Sequence, residues 1–240
     1  ARFMAVGGIG ELVDATNRVM PRLDSIANNI SNMGTSGFKA DRLYYLKEKD
    51  PSSGGAGMKT TPLLVVDFSQ GSLAATGNPL DLAIKDDGFF VVKTKNGEAY
   101  TRKGNFTVNK NNELVTQDGD LLVGESGKIT LNGNNVVVSE NGEVSVDGNR
   151  VGKLKIVKFA KPSLLVRDGN GLFSDPGGAG LGMNDKPEVQ AGFLEMSNVQ
   201  SIREMVEMIN VQRTVDIYQK GIQTISEQDK LSTSRVGRVG

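Results

Sequence analysis

The chain contains no cysteine, no histidine and no tryptophan. Without Cys and His, thiolate catalysis, Cys/His zinc sites, imidazole acid–base chemistry and serine–histidine triads are all excluded. No disulfide can form, which leaves the compartment open, since many exported chains also do without them. No apolar run approaches the roughly 20 residues that span a bilayer, so a membrane-spanning protein is not expected. Nor is there an excess of one charge: 28 basic residues face 28 acidic ones, and no strong field steers the chain towards nucleic acid or an anionic surface. The basic runs "KADR" and "SRVGRVG" are short and lack interleaved aromatics, so they read as solvated surface, with no nucleic-acid partner. The opening "ARFMAVGGIGELVDATNRV" has no long apolar stretch and carries early acidic residues, so export without a cleaved signal peptide is the expectation.

Glycine is plentiful, at 30 of 240 residues. Eight Asn-Gly or Asp-Gly dipeptides fall between residues 87 and 171: Asp87-Gly88, Asn96-Gly97, Asp118-Gly119, Asn132-Gly133, Asn141-Gly142, Asp147-Gly148, Asp168-Gly169 and Asn170-Gly171. Such pairs suit the positive φ angles of type I′ hairpin turns. Between them lie strand-like runs: "LDLAI", "FFVVKT", "AYTR", "NFTVN", "ELVT", "NNVVVS", "EVSV" and "KLKIVKF". Their spacing predicts packed antiparallel hairpins, a sandwich or an irregular barrel. Residues 50–59 and 174–187 read as loops.

Both ends of the chain have helical periodicity instead. Ile9, Leu12, Val13, Thr16, Val19, Met20, Leu23, Ile26, Ala27 and Ile30 recur at spacings of three and four. Pro21 lies inside that stretch and predicts a kink or restart near Met20–Arg22. Gly34 and Gly37 are expected to supply the turn conformations at its end. In residues 197–234, Met205, Met208, Val211, Val215, Tyr218, Ile222 and Ile225 form a heptad seam. Ile202, Val206 and Ile209 widen its apolar face. Ser197 with Gln200, or Ser201 with Glu204, provides a capping box. Each stripe must be covered, either by the β-domain or by the other helix and the helices of neighbouring molecules. The regular seven-residue period favours the coiled-coil alternative.

Candidate chemistry is sparse. Asp86, Asp87, Asp118 and Asp120 all neighbour turn glycines, where Asp is chosen for backbone hydrogen bonds. "DGNGLFSD" loosely follows a calcium loop, but Ala179 stands where the closing acid belongs. "GGIG" and "GGAGLG" lack the Lys-Ser/Thr of a phosphate loop. No catalytic residue, metal or cofactor is expected, and the chain does not read as an enzyme. A secreted β-rich carbohydrate-binding domain is the alternative, weakened by the lack of Trp and by having only four Tyr.

The stretch "LDSIANNISNMGTSGFKADR" is more specific. It resembles the N-terminal signature of the bacterial flagellar axial proteins, the rod and hook family, through Leu23, Asp24, Asn28, Asn29, Asn32, Gly34, Thr35, Gly37, Phe38 and Lys39. A second block, 76–124, resembles that family's core: Gly77, Asn78, Pro79, Leu80 and Asp81 lead to Gly88 and Phe89, then to Tyr100, Thr101, Arg102, Gly104, Asn105 and Phe106. A third, "GFLEMSNVQSIREMVEMINVQRTVDIYQKGIQTISEQDKL", resembles its C-terminus. Length leaves the proximal and the distal rod members of the family; the short stretch 40–61 and the runs "GKLKIVKF" and "RDGNGLF" are closer to the proximal ones, with the distal ones as the alternative.

The resemblance implies an α+β fold. Terminal helices (1–38 and 194–240) would form a coiled-coil inner layer, and residues 39–193 an inserted, mainly antiparallel β-rich outer domain. It implies a structural subunit polymerising helically into a torque-transmitting shaft around an export channel. The implied partners are copies of itself, other axial proteins and the flagellar export apparatus, with ring proteins as further candidates; the implied location is the periplasmic part of the basal body. In this picture the doubled Asn satisfies backbone groups at the helix end.

Overall fold

A computed structural model of the chain describes residues 2–49 and 58–236. The tip of the expected 50–59 loop and the final residues 237–240 lie outside the described residues. Two helices bracket the chain, α1 (Arg2–Ser31) and α2 (Ser201–Val236), and nearly all regular structure between them is antiparallel strand. The chain divides into two compact units. One comprises 1–31, 41–65 and 200–240; the other comprises 32–40 and 66–199. Residues 41–65, which the sequence groups with the β-rich domain, thus cluster with the helices as a two-stranded pair, Asp41–Lys49 with Met58–Val66.

In the helical unit α1 and α2 pack antiparallel. A Cβ placed on Gly8 would lie 3.6 Å from Ile225 Cδ1, and one on Gly221 would lie 3.1 Å from Leu12 Cδ1. Near the other end of α1, Arg22 pairs with Glu207. This corrects the expected architecture. The protein is mostly β, with one helix at each end of the chain, and the helices form a single pair rather than a long coiled-coil layer; the α+β class still describes it. A seven-residue period shows that a helix carries an apolar stripe, not how many helices cover it. Here one helix covers it, and only Val211 of the seam is fully buried. Met208, Val215, Tyr218, Ile222 and Ile225 are half-buried, and Met205 is exposed. On α1, Ile26 is buried; Ile9, Leu12, Val19, Leu23 and Ile30 are half-buried; and Val13 and Met20 are exposed.

Pro21 does not end α1, which runs through it. The carbonyl left without a donor belongs to Asn17, an exposed residue where water can replace the missing N–H. The expected capping boxes are replaced too. Ser197 Oγ accepts from the Val199 amide (3.3 Å), and Glu204 turns its carboxylate to Arg42 (3.6 Å).

The β-unit is built on a ten-stranded antiparallel sheet. Its central strand, Phe89–Thr94, pairs along one edge with Gly97–Thr101. The other edge forks: Phe89 and Phe90 face Val157 and Ile156, while Val92 and Lys93 face Leu122 and Leu121. Side chains alternate across this strand. Phe90 and Val92 enter a core with Leu82, Ile84, Leu114, Leu122 and Ile156, whereas Phe89 and Val91 enter one with Tyr100, Phe159 and Phe173. The second core is an edge-to-face aromatic cluster in which Phe68, Phe89, Phe159, Phe173 and Tyr100 pack with centroids 4.8–6.4 Å apart.

The turn code is partly realised. Asp147-Gly148 joins two strands with positive φ at both residues (51° and 84°), and Asn170-Gly171 does the same (51° and 75°). Asp118-Gly119 and Asn141-Gly142 also lie between paired strands. Asp87-Gly88 closes no hairpin, because the strand before it, Leu82–Ile84, pairs with Val189–Ala191. Gly88 is small for a packing reason: a Cβ there would sit 2.7 Å from Ile156 Cγ2. The expected 174–187 loop contains a strand, Leu181–Met183, paired with Ile156–Phe159.

Candidate functional site

The motif residues of the first helix organise its unit through Asn28 and Asn29. Asn29 is buried, and its side-chain amide reads the Asp41 backbone in both directions. Its Nδ2 donates to Asp41 O (2.9 Å), and its Oδ1 accepts from Asp41 N (2.8 Å). Asn28 Nδ2 donates to Asp41 Oδ2 (2.6 Å). Sequence suggests a cap at the helix end; in the structure both side-chain atoms of Asn29, together with Asn28 Nδ2, hold the strand that returns after the turn. Asn is suited to this because its amide carries a donor and an acceptor side by side. Asn32 Oδ1 accepts from the Thr35 hydroxyl (3.3 Å). Beside this clamp lies a groove of about 420 Å3, lined by residues that include Arg22, Arg42, Tyr44, Tyr45 and Glu207.

In the β-unit, three of the quoted blocks converge on one carboxylate. Glu195 is 1% exposed and accepts from Lys39 Nζ (2.7 Å), Arg102 Nε (2.8 Å) and the Gly71 amide (2.9 Å). Lys39 and Arg102 are 1% and 4% exposed. Two buried cations against one anion leave an excess charge, and backbone dipoles absorb it. Lys39 Nζ also reaches Ser69 O (2.8 Å), and Arg102 reaches the carbonyls of Asp86 (2.6 Å), Gly88 and Ile84 (3.2 Å). Burial pushes the Lys39 amine below its ordinary value; Glu195 opposes this without cancelling it, and the Arg102 charge adds to the lowering.

Neighbouring groups extend the cluster. Arg167 stacks on Phe38 (4.7 Å to the ring centre) and donates to Lys39 O (2.7 Å). Asn198 Oδ1 accepts from the Ala40 amide (2.7 Å), and its Nδ2 donates to Asp67 O and Ser69 O (2.8 and 2.9 Å). Gly37 has φ 65°, and a Cβ there would lie 2.5 Å from the Arg102–Lys103 backbone. Gly34, by contrast, has open space around it and no positive φ, so only Gly37 plays the part expected of both. Burial also acts on the Asp86 carboxyl, pushing it up, but bonds from Lys158 (2.9 Å), Asn184 (2.6 Å) and the Gly88 amide (3.2 Å) prevail and hold it below its usual range.

Two family models match the chain: the flagellar hook protein FlgE/F/G D1 domain over residues 83–146, and the flagellar basal body rod FlgEFG protein C-terminal region over residues 190–234. The chain is 32% identical to the flagellar basal-body rod protein FlgF of Caulobacter vibrioides over 226 residues, covering 90% of this chain and 92% of that one. It is 30% identical to the rod protein FlgG of Agrobacterium fabrum, covering 94% and 96%. The chain belongs to the flagellar hook and basal-body rod protein family. The hook protein FlgE of Escherichia coli is 36% identical over only 100 residues, a quarter of its length.

Within this family frame, the core block 77–106 plays two parts. Gly77 (φ 75°), Asn78 and Pro79 form an exposed turn, in which Asn78 O accepts from the Asp81 amide (3.0 Å), with Leu80 packed on the core. Asp81, Gly88, Phe89, Tyr100, Thr101, Arg102, Gly104 and Phe106 are buried, and Asn105 half-buried. Gly104 meets the Leu82 carbonyl so closely that a Cβ would lie 1.6 Å from its oxygen. Of the first signature, Leu23 and Asn32 are half-buried, Asp24 is exposed, and Phe38 and Lys39 are buried. Sequence reading did not single out Asp41 or Glu195, and it reaches Asn198 only as part of the Ser-Asn-Val run in the third block. The available clue was a lone Glu within the otherwise uncharged run "GFLEMSN"; a charge among apolar neighbours is either solvated or paired.

Among the described residues no helix is long and apolar enough to cross a membrane. α2 nevertheless leaves apolar side chains uncovered: Ile202 is 80% exposed and Ile217 67%, with Val206 and Ile209 also exposed between them and the charged Arg213 and Asp216 interspersed. Tyr44, Tyr45, Leu46, Leu63 and Leu64 are exposed on the strand pair of the same unit.

Proposed function

We propose that this chain is a non-catalytic structural subunit of the bacterial flagellar rod, of the proximal, FlgF-like kind. It assembles with copies of itself and with other axial proteins into a helical shaft that transmits torque and surrounds the export channel. Its further partners are the export apparatus and ring proteins, and its place is the periplasmic section of the basal body. Residues 39–193 serve as the outer body, and the terminal segments 1–38 and 194–240 as assembly segments. Leu23–Lys39 sets the junction after α1.

The observation that carries this reading is the likeness to FlgF of Caulobacter vibrioides across nine-tenths of the chain. The exposed stripe on α2 adds physical support, since heterologous contacts that do not close generate filaments and need such uncovered faces. Immunogold electron microscopy of isolated basal bodies tests it. Label on the membrane-proximal rod supports the proximal assignment, label confined to the outer rod supports the distal one, and label absent from the rod overturns the reading.

A further inference from the structure

Every stretch by which the chain passes between its two units within the β-unit's own fold meets at Glu195. These stretches are 32–40, 66–71 and 195–199. Lys39 comes from the first, Ser69 and Gly71 from the second, and Glu195 from the third, and their bonds at 2.7–2.9 Å join all three. Asn198 repeats the connection one turn of chain further on, joining Ala40, Asp67 and Ser69. The backbone adds Gly37 N to Glu195 O (2.7 Å), Asp67 N to Ala40 O (2.8 Å) and Met196 N to Ser72 O (2.8 Å). From the adjoining sheet come Arg102, entering at the end of its strand, and Arg167, which donates to Lys39 O (2.7 Å).

We infer that Lys39, Glu195 and Asn198 form a latch that ties the three connecting stretches into one cooperative element, which opens without unfolding the sheet beneath it. Two features separate the latch from the sheet. Its bonds are mostly polar and side-chain mediated, whereas the central sheet strand, Phe89–Thr94, sends Phe90 and Val92 into one apolar core and Phe89 and Val91 into the other. Its central pair also joins residues 156 positions apart, so Lys39 finds its counter-charge only when the far end of the body has docked. A buried ion pair of this sort adds little net stability over an apolar pairing, but removing one partner is costly because it leaves an uncompensated buried charge. The latch thus fixes how the chain enters and leaves the body, whichever assembly it joins.

Native-state hydrogen exchange of the full chain, followed by NMR in increasing sub-denaturing urea, tests this. The amides of Gly37, Ala40, Gly71 and Met196 are expected to share one opening transition. Its free energy and urea slope should be smaller than those of Val91, Val92 and Leu122, because less surface is exposed. In Glu195→Gln, the latch amides are expected to exchange within about tenfold of unprotected rates, while the sheet amides stay protected by at least about a thousandfold. Coincident isotherms for the two sets in the unaltered chain would overturn the inference, as would retained latch protection in Glu195→Gln. The urea series needs no variant, so a variant that fails to fold does not decide the matter.

Discussion

Lys39 and Glu195 meet at 2.7 Å with both side chains 1% exposed, and Arg102 closes on the same carboxylate from the other oxygen. Unequal consequences follow for the two partners. Removing Lys39 leaves Glu195 still paired with Arg102 and the Gly71 amide. Removing Glu195 leaves two buried cations facing one another across an empty place. Glu195→Ala is expected to lower stability by about 3 kcal/mol or more, and Lys39→Met by clearly less. Urea titrations of the two variants rank them.

The Asn29–Asp41 clamp makes a chemical prediction. In Asn29→Asp the new carboxylate can accept from the Asp41 amide but cannot donate to its carbonyl, and it places a charge in a buried site. In Asn29→Ala both backbone groups lose their partner, a cost of about 2–3 kcal/mol. Asn28→Ala, at a half-buried position, costs about 1 kcal/mol or less. Exchange of the Asp41 amide reports each variant directly: faster by the largest factor in Asn29→Ala, and least affected in Asn28→Ala.

Two glycines three residues apart should behave oppositely. Gly37→Ala combines a positive φ with a backbone collision at 2.5 Å and is expected to cost about 2 kcal/mol or more. Gly34 has nothing within 4 Å of a Cβ, so Gly34→Ala should stay within about 0.5 kcal/mol of the unaltered chain. Thermal melts of the pair decide this.

Acid should loosen the β-unit at Asp86. The folded carboxyl titrates below its unfolded value of 3.8. Its contribution to stability is therefore fully present above that value and is lost as pH falls through the lower, folded one. In Asp86→Asn the melting temperature should fall at pH 7 and respond less to acidification below about pH 4. An identical acid dependence in both proteins would remove Asp86 from the explanation.

Much of the fold can be read in the sequence because it is written locally. All eight quoted strand-like runs contain a strand, and two Asx-Gly pairs adopt the double positive φ expected of them. Both helices follow from their apolar spacing. What was not legible depends on partners distant in sequence. Glu195 looks like a surface charge until Lys39 and Arg102 arrive from 156 and 93 residues away. The coiled-coil layer was inferred from a period that one partner helix and a partly exposed stripe satisfy equally well. Gly88 was read as a turn residue because turns and tight packing both select glycine. Asn28 and Asn29 were recognised as a motif, but their role became visible only with Asp41, twelve residues beyond Asn29.

The central claim is that this chain works by being built into the rod, through apolar residues that its own fold leaves uncovered. Quantifying the chain in purified basal bodies, for the unaltered protein and for Ile209→Glu on the exposed face of α2, tests that claim most directly. The account predicts that the unaltered chain co-purifies with the basal body. Ile209→Glu should be excluded and its cells non-motile, with circular dichroism and melting of the isolated variant unchanged. Equal incorporation of the charged variant would show that the stripe is not an assembly face, and absence of the unaltered chain from basal bodies would contradict the account as a whole.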